Sequence, residues 1–171
     1  GARGGGGGAR GVVGGWGLRD AVAGGWRVRA LTGRAQQEHE GVTWVMGALD
    51  KPESLAEMAA SADVVMHIAG VVNVPTRAAF EAGNATATGN VVNAARGAGV
   101  TRFVHVSSLA AREPGLSDYG WSKTRAEAIV EASGPDWPTV PPPAVFGPAA
   151  TEMLALFPMA PPGASPGAAR P

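Results

Sequence analysis

Apolar positions along this chain come in short runs separated by longer, mixed stretches. Asp63-Val-Val-Met-His-Ile-Ala69 and Phe103-Val-His-Val-Ser-Ser108 are nearly all apolar until their ends. Runs of that kind predict strands buried on both faces, as parallel strands are. Trp26-Arg-Val-Arg-Ala-Leu31 alternates and predicts a strand, as does Val42-Thr-Trp-Val-Met46. Four helical stretches lie between or after them. The first runs from Gly14 to Gly24, weakened by its own glycines. The second runs from Pro52 to Ser61, with Asp50 as a cap and proline early. The third runs from Thr76 to Ala98 and the fourth from Asp118 to Ala132. Strand alternating with helix at this spacing implies β-α-β units and a parallel sheet, hence an α/β fold. No internal repeat is visible.

The two ends break the pattern. The chain has 171 residues with 26 Gly and 14 Pro. The glycines crowd the first stretch, and the prolines crowd the part after Pro135. Residues 1–7, Gly-Ala-Arg-Gly-Gly-Gly-Gly, are not expected to form a strand, because glycine has high backbone entropy and no side chain to pack. Residues 160–171 read as a disordered Pro/Gly/Ala tail. Three segments follow: a Gly-rich 1–7, a domain over 8–159, and the tail. Formal net charge is +0, so neither nucleic acid nor an anionic membrane is indicated as partner. There is no cysteine, which removes disulfides and thiolate metal sites. No apolar stretch of about 18 residues and no basic-then-apolar leader is present, so a soluble cytoplasmic protein is the default.

Candidate chemistry centres on Tyr119-Gly-Trp-Ser-Lys123. Residues four apart on a helix share a face. A Lys ammonium beside a phenol favours its ionised form and brings it toward useful acid/base strength. Ser108, ending the strand upstream, offers a hydroxyl to hold a carbonyl oxygen while the tyrosine moves a proton. The competing reading is a chance Tyr-x-x-x-Lys with the ring used for packing. A second motif is Gly8-Ala-Arg-Gly11-Val-Val-Gly14. Such glycines permit a tight turn, close approach of backbone to a pyrophosphate, and close helix packing. The helix start then offers free N–H groups to phosphate. The competing reading is a flexible Gly-rich tail, but Gly14 precedes the next strand at the distance a β-α-β unit requires. His39, His67 and His105 form no spaced metal set; His67 and His105, in apolar strands, read as core or supporting residues. The tryptophans read as packing, with Trp121 near the candidate site.

Five segments stand in the order and spacing of one family. They are Gly8–Gly14, Asp63–Gly70, Asn84 in Asn-Ala-Thr-Ala-Thr88, Arg102–Ser108 and Tyr119–Lys123. The chain resembles the extended short-chain dehydrogenases/reductases, the NAD(P)-dependent epimerase/dehydratase proteins, over about residues 8–160. Pro142–Pro148 looks like that family's segment after the sixth strand. The resemblance implies a Rossmann-like doubly wound sheet binding NAD or NADP. It makes Tyr119 the proton-transfer residue, Lys123 its partner and a holder of the nicotinamide ribose, and Ser108 the polariser of the substrate oxygen, with Ser107 the alternative. It places Gly8, Gly11, Val12, Val13, Gly14, Thr32, Arg34, Leu49, Ala69 and Gly70 against the cofactor. Asn84 would cap or hydrogen-bond near the site. Where the second strand ends, NAD-preferring members carry an acid; Thr32 is not acidic, and Arg29 and Arg34 lie near, which favours NADP.

The departures point to a member truncated or eroded at both ends. An apolar first strand is replaced by glycines, Pro141 stands where an Arg is usual, and Gly47-Ala48-Leu49 lacks the common acidic residue. The implied function is NAD(P)-dependent oxidation, reduction or epimerisation of a nucleotide sugar or another small hydroxyl or keto compound. The rivals are a non-catalytic NAD(P)-binding module and an inactive remnant. The helices at Thr76–Ala98 and Asp118–Ala132 are the pair that makes the homodimer contact in the family.

Overall fold

The computed structural model describes residues 3–7, 12–134 and 137–141, with side chains described from Gly14 onward. Six parallel strands form one sheet in the order β3-β2-β1-β4-β5-β6. The strands are β1 (Arg3–Gly7), β2 (Arg27–Thr32), β3 (Val42–Met46), β4 (Val64–His67), β5 (Arg102–Val106) and β6 (Thr139–Val140). The helices are α1 (Val12–Ala23), α2 (Pro52–Ala59), α3 (Arg77–Phe80), α4 (Ala87–Gly97) and α5 (Asp118–Glu131). A wide π-helical turn, Glu81–Thr86, joins α3 to α4, and a short 3-10 turn, Leu109–Arg112, follows β5. This is the doubly wound Rossmann-like order, in which the chain starts at the centre of the sheet and builds outward in both directions.

The expectation that residues 1–7 form no strand is overturned for Arg3–Gly7. This segment pairs with β2 from Arg3↔Arg27 to Gly6↔Ala30, and with β4 from Gly4↔Val64 to Gly7↔His67. A strand flanked on both sides fills its N–H and C=O groups without help from side chains. Neighbours therefore impose the extended state on a segment whose own composition disfavours it.

The third helical stretch begins and ends as its pattern predicts, but is not uniform. Thr76 caps it, its hydroxyl accepting from the Ala79 N–H at 3.1 Å. The main core gathers Leu55, Met58 and Ala59 of α2, Val91, Val92 and Ala95 of α4 and Val130 of α5 with Val65 and Phe103 of the central strands. Phe103 is fully buried and stacks on Trp137 at 4.7 Å between ring centroids. No helix among the described residues is long and apolar enough to cross a membrane. Pro142–Pro148 and residues 160–171 lie outside the described residues.

Candidate active site at the carboxyl ends of β4 and β5

Helix α5 begins where its sequence says it should. Ser117 is extended and its hydroxyl accepts from the Gly120 N–H at 3.0 Å, while Asp118 sits in the first turn. An N-cap hydroxyl and an acid at the helix start both offset the free N–H groups there. This cap sets Tyr119, the chain's only tyrosine, in the first turn and Lys123 one turn later. Tyr119 is half-buried, its ring tilted against Phe80 at 6.1 Å. Ser108 leaves β5, caps the 3-10 turn and accepts from the Ala110 N–H at 3.2 Å. That turn lies directly on α5: the Thr124 hydroxyl donates to Ala111 O at 2.6 Å, and a Cβ on Gly120 would stand 2.5 Å from Ala110 O. Only glycine allows that approach. Ser108 and the Tyr119 turn are thereby brought to one place.

Lys123 is 4% exposed and donates from Nζ to Val106 O at 3.2 Å. Burial pushes its ammonium down to about 8, with Glu127 offsetting part of the shift. An ammonium has three donors, so two remain for other groups. Gly70 supplies the space: a Cβ there would lie 3.8 Å from Lys123 Nζ and 2.8 Å from Asn84 Oδ1.

Asn84 sits in the π-helical turn and is 1% exposed. Its Oδ1 accepts from the Val71 N–H at 2.7 Å, and its Nδ2 donates to Val71 O at 3.0 Å and to Ser122 Oγ at 2.9 Å. The Ser122 hydroxyl in turn donates to Tyr119 O at 2.7 Å. One amide thus ties the loop after β4 to the first turn of α5. A π-turn is a common mark of a functional position. The sequence pointed to Asn84 but not to Ser122, whose only signal was a small hydroxyl residue three after the tyrosine.

The cofactor-side expectations divide. Gly8 and Gly11 lie outside the described residues. Val12, Val13 and Gly14 form the first turn of α1, with Gly14 buried. Thr32 is buried at the end of β2; its hydroxyl donates to Arg34 O at 2.7 Å and accepts from Gln36 Nε2 at 3.1 Å, shaping the loop beyond. Arg34 is exposed, and among the described residues its guanidinium has no partner. Arg29 is not available with it: it donates to the Glu57 and Ala60 carbonyls at the end of α2, where a cation suits the helix terminus. The Leu49 side chain packs against the core, and its carbonyl accepts from Asn90 Nδ2 at 2.9 Å. Ala69 and Gly70 follow β4 after Ile68, and Gly70 lies beside Asn84 and Lys123.

His67 and His105 face each other across β4 and β5 and stack at 5.4 Å with planes 22° apart. His67 Nε2 lies 3.0 Å from the Thr88 hydroxyl. Burial lowers both to about 3, and the neighbouring positive charge of Lys123 adds to this, so both are neutral at pH 7. They are core residues, as their apolar surroundings in the sequence suggested. Ser107 is buried, and among the described residues its hydroxyl has no hydrogen-bond partner.

Residues 8–158 match the model of the NAD(P)H-binding family. The chain belongs to this family. Among relatives of this NAD(P)H-binding chain is a ceramide reductase of Caulobacter vibrioides, 44% identical over 116 residues, which are 68% of the chain and 36% of the relative. A second is a 4-hydroxy-2-methyl-3-oxo-4-farnesyl-3,4-dihydroquinoline-1-oxide ketoreductase of Stigmatella aurantiaca, 32% identical over 118 residues, covering 58% of the chain and 35% of the relative. The chain therefore spans only about a third of the length of these curated relatives. Its structural neighbours are extended short-chain dehydrogenase/reductase enzymes. The Bordetella bronchiseptica enzyme WbmH, solved with NAD+, superposes at a TM-score of 0.76 with 22% identity, over 86% of this chain and 57% of that one. A short-chain dehydrogenase/reductase superfamily protein from Agrobacterium tumefaciens with bound NAD gives 0.70 at 25% identity, over 81% and 47%.

Proposed function

We propose that the chain carries the catalytic part of a carbonyl reductase using NAD(P)H, with Tyr119 as the acid that delivers a proton to the carbonyl oxygen. The observation carrying this is the capped α5 turn, which sets Tyr119 and the buried Lys123 one turn apart beside Ser108. The bound nicotinamide supplies the hydride. Ser108 donates its hydroxyl hydrogen to the same carbonyl oxygen, because accepting from the Ala110 N–H leaves that hydrogen free. Lys123 would hold the ribose with its remaining donors, and its positive charge one helical turn from Tyr119 would stabilise the phenol once its proton has left. Asn84 holds the loop that carries Gly70, so the space beside Lys123 stays open.

A reductase is favoured over an epimerase by the two curated relatives, both named as reductases and 44% and 32% identical. A UDP-glucuronic acid 4-epimerase of Bacillus cereus, at 14% identity, shares the fold alone. NADPH is the favoured cofactor, because Arg34 is exposed beyond a non-acidic Thr32 and can meet a 2′-phosphate. With Arg29 engaged on α2, that preference rests on Arg34.

Tyr119→Phe keeps the ring and removes the acid. Turnover should fall on the order of 10²-fold or more, the usual scale of a general acid, while NADPH binding measured by its fluorescence is retained. A Phe variant that turns over at the original rate overturns the assignment. Equal affinity for NADH and NADPH, unmoved by Arg34→Ala, overturns the cofactor preference.

A further inference from the structure

The elements that build the site also leave an apolar rim around it. Val72, two residues after Gly70, is 43% exposed; Leu109, next to Ser108, is 39% exposed; Leu116, three before Tyr119, is 83% exposed. Phe80 sets its ring against that of Tyr119 itself. Single exposed apolar residues are ordinary, but several that flank the residues of one site mark a binding surface. These positions are held rather than loose. Ser108 caps the 3-10 turn carrying Leu109, Thr124 ties that turn to α5, and the Leu116 N–H donates to Glu113 O at 3.1 Å. The cations beside the mouth are mostly committed. Arg77 lies 3.8 Å over the Trp121 ring and near Asp118, and Arg125 pairs with Glu81 at 3.0 Å. A diphosphate would call for free guanidinium groups; on the 3-10 turn that leaves Arg112, at its far end.

We infer that Val72, Phe80, Leu109 and Leu116 dock the hydrocarbon part of the substrate, so that the compound reduced at Tyr119 is a ketone bearing a long alkyl or acyl chain. The inference builds on the reductase reading and adds to it the residues that select the substrate. Apolar surface of chain and rim leaves water together, and the free energy grows with each methylene covered. The polar end, carrying the carbonyl, is left at Ser108 and Tyr119.

The test is a series of methyl ketones of four to fourteen carbons assayed with NADPH. The specificity constant should rise about 2–4-fold per added methylene until the rim is covered. In the double variant Leu109→Ser/Leu116→Ser the slope should flatten. In Met46→Ser, an exposed apolar position on β3 at the opposite edge of the sheet, it should not change. A wild-type series with no dependence on length overturns the inference, as does a slope the double variant leaves intact. Binding of a fluorescent sixteen-carbon fatty acid separates the two readings. If no ketone turns over but the probe binds and the double variant weakens it about fivefold or more, the rim stands and the reductase reading falls. If the probe does not bind and no ketone turns over, both fall.

Discussion

Strands β1 and β5 occupy equivalent situations and are built in opposite ways. Each is flanked on both sides, β1 by β2 and β4, and β5 by β4 and β6. Strand β5 presents Phe103 and His105, both fully buried, and hands its chain directly to Ser107 and Ser108. Strand β1 reads Arg-Gly-Gly-Gly-Gly and has no apolar side chain to bury. Its place is set by backbone pairing alone. The difference separates two things often treated as one: where a strand goes and how strongly it is held. Pairing partners on both sides decide the first, and buried side chains supply most of the second. The glycine turn expected to receive a pyrophosphate follows the weak strand, whereas the acid/base group follows the strong one.

Giving β1 the character of β5 should produce the largest change. Replacing residues 4–7 by Val-Leu-Val-Thr adds three apolar side chains at a central position. At about 1.5–3 kcal/mol for each one fully buried, the gain is about 5 kcal/mol or more, comparable with the whole stability of many domains. The melting temperature should rise by at least about 10 °C, and NADPH affinity should rise with it as the glycine turn is anchored. An unchanged melt would show that the glycine strand is not the weak point.

The reverse experiment strips β5. Phe103→Ala removes a fully buried ring stacked on Trp137 and should cost about 3–5 kcal/mol. Urea titration reads this directly. A loss below about 1 kcal/mol would mean that β5 is no better anchored than β1.

Acid acts on the same strand through its histidine. His67 and His105 have folded values of about 3 against an ordinary 6.5. The unfolded chain therefore binds protons that the folded one refuses. Their contribution to stability is intact above pH 6.5 and is lost progressively as pH falls toward 3. Between pH 6.5 and 5 each should cost about 2 kcal/mol. Replacing His105 by Phe should reduce that dependence, and a melt equally pH-sensitive in the variant would contradict this account.

Much of this was legible in the sequence because local pattern and tertiary role coincide. The apolar runs at residues 63–69 and 103–108 are central strands, and the helix read over Asp118–Ala132 is α5, Asp118–Glu131. What was not legible depended on distant partners. Arg3–Gly7 carries no apolar pattern, and its strand state comes from residues around positions 27 and 64. Arg29 looked like a candidate for the cofactor, but the end of α2, about thirty residues on, takes it. Ser122 joined the site only because Asn84 arrives from another helix. The π-turn at Glu81–Thr86 shares the apolar spacing of an ordinary helix and gave no separate sign.

That turn has a bearing on how relatives of this chain should be aligned. Across it the Ala87 N–H reaches back five residues to Ala82 O, so the stretch holds one residue more than a straight helix of the same span. A homologue with a single deletion between positions 81 and 86 would carry a straight helix of the same span, with its flanking faces in place and only the wide turn lost. The amide at position 84 would then turn away from Val71 and Ser122. Such a gap should be read as the loss of a working part, even where flanking identity is high and the helix itself is intact.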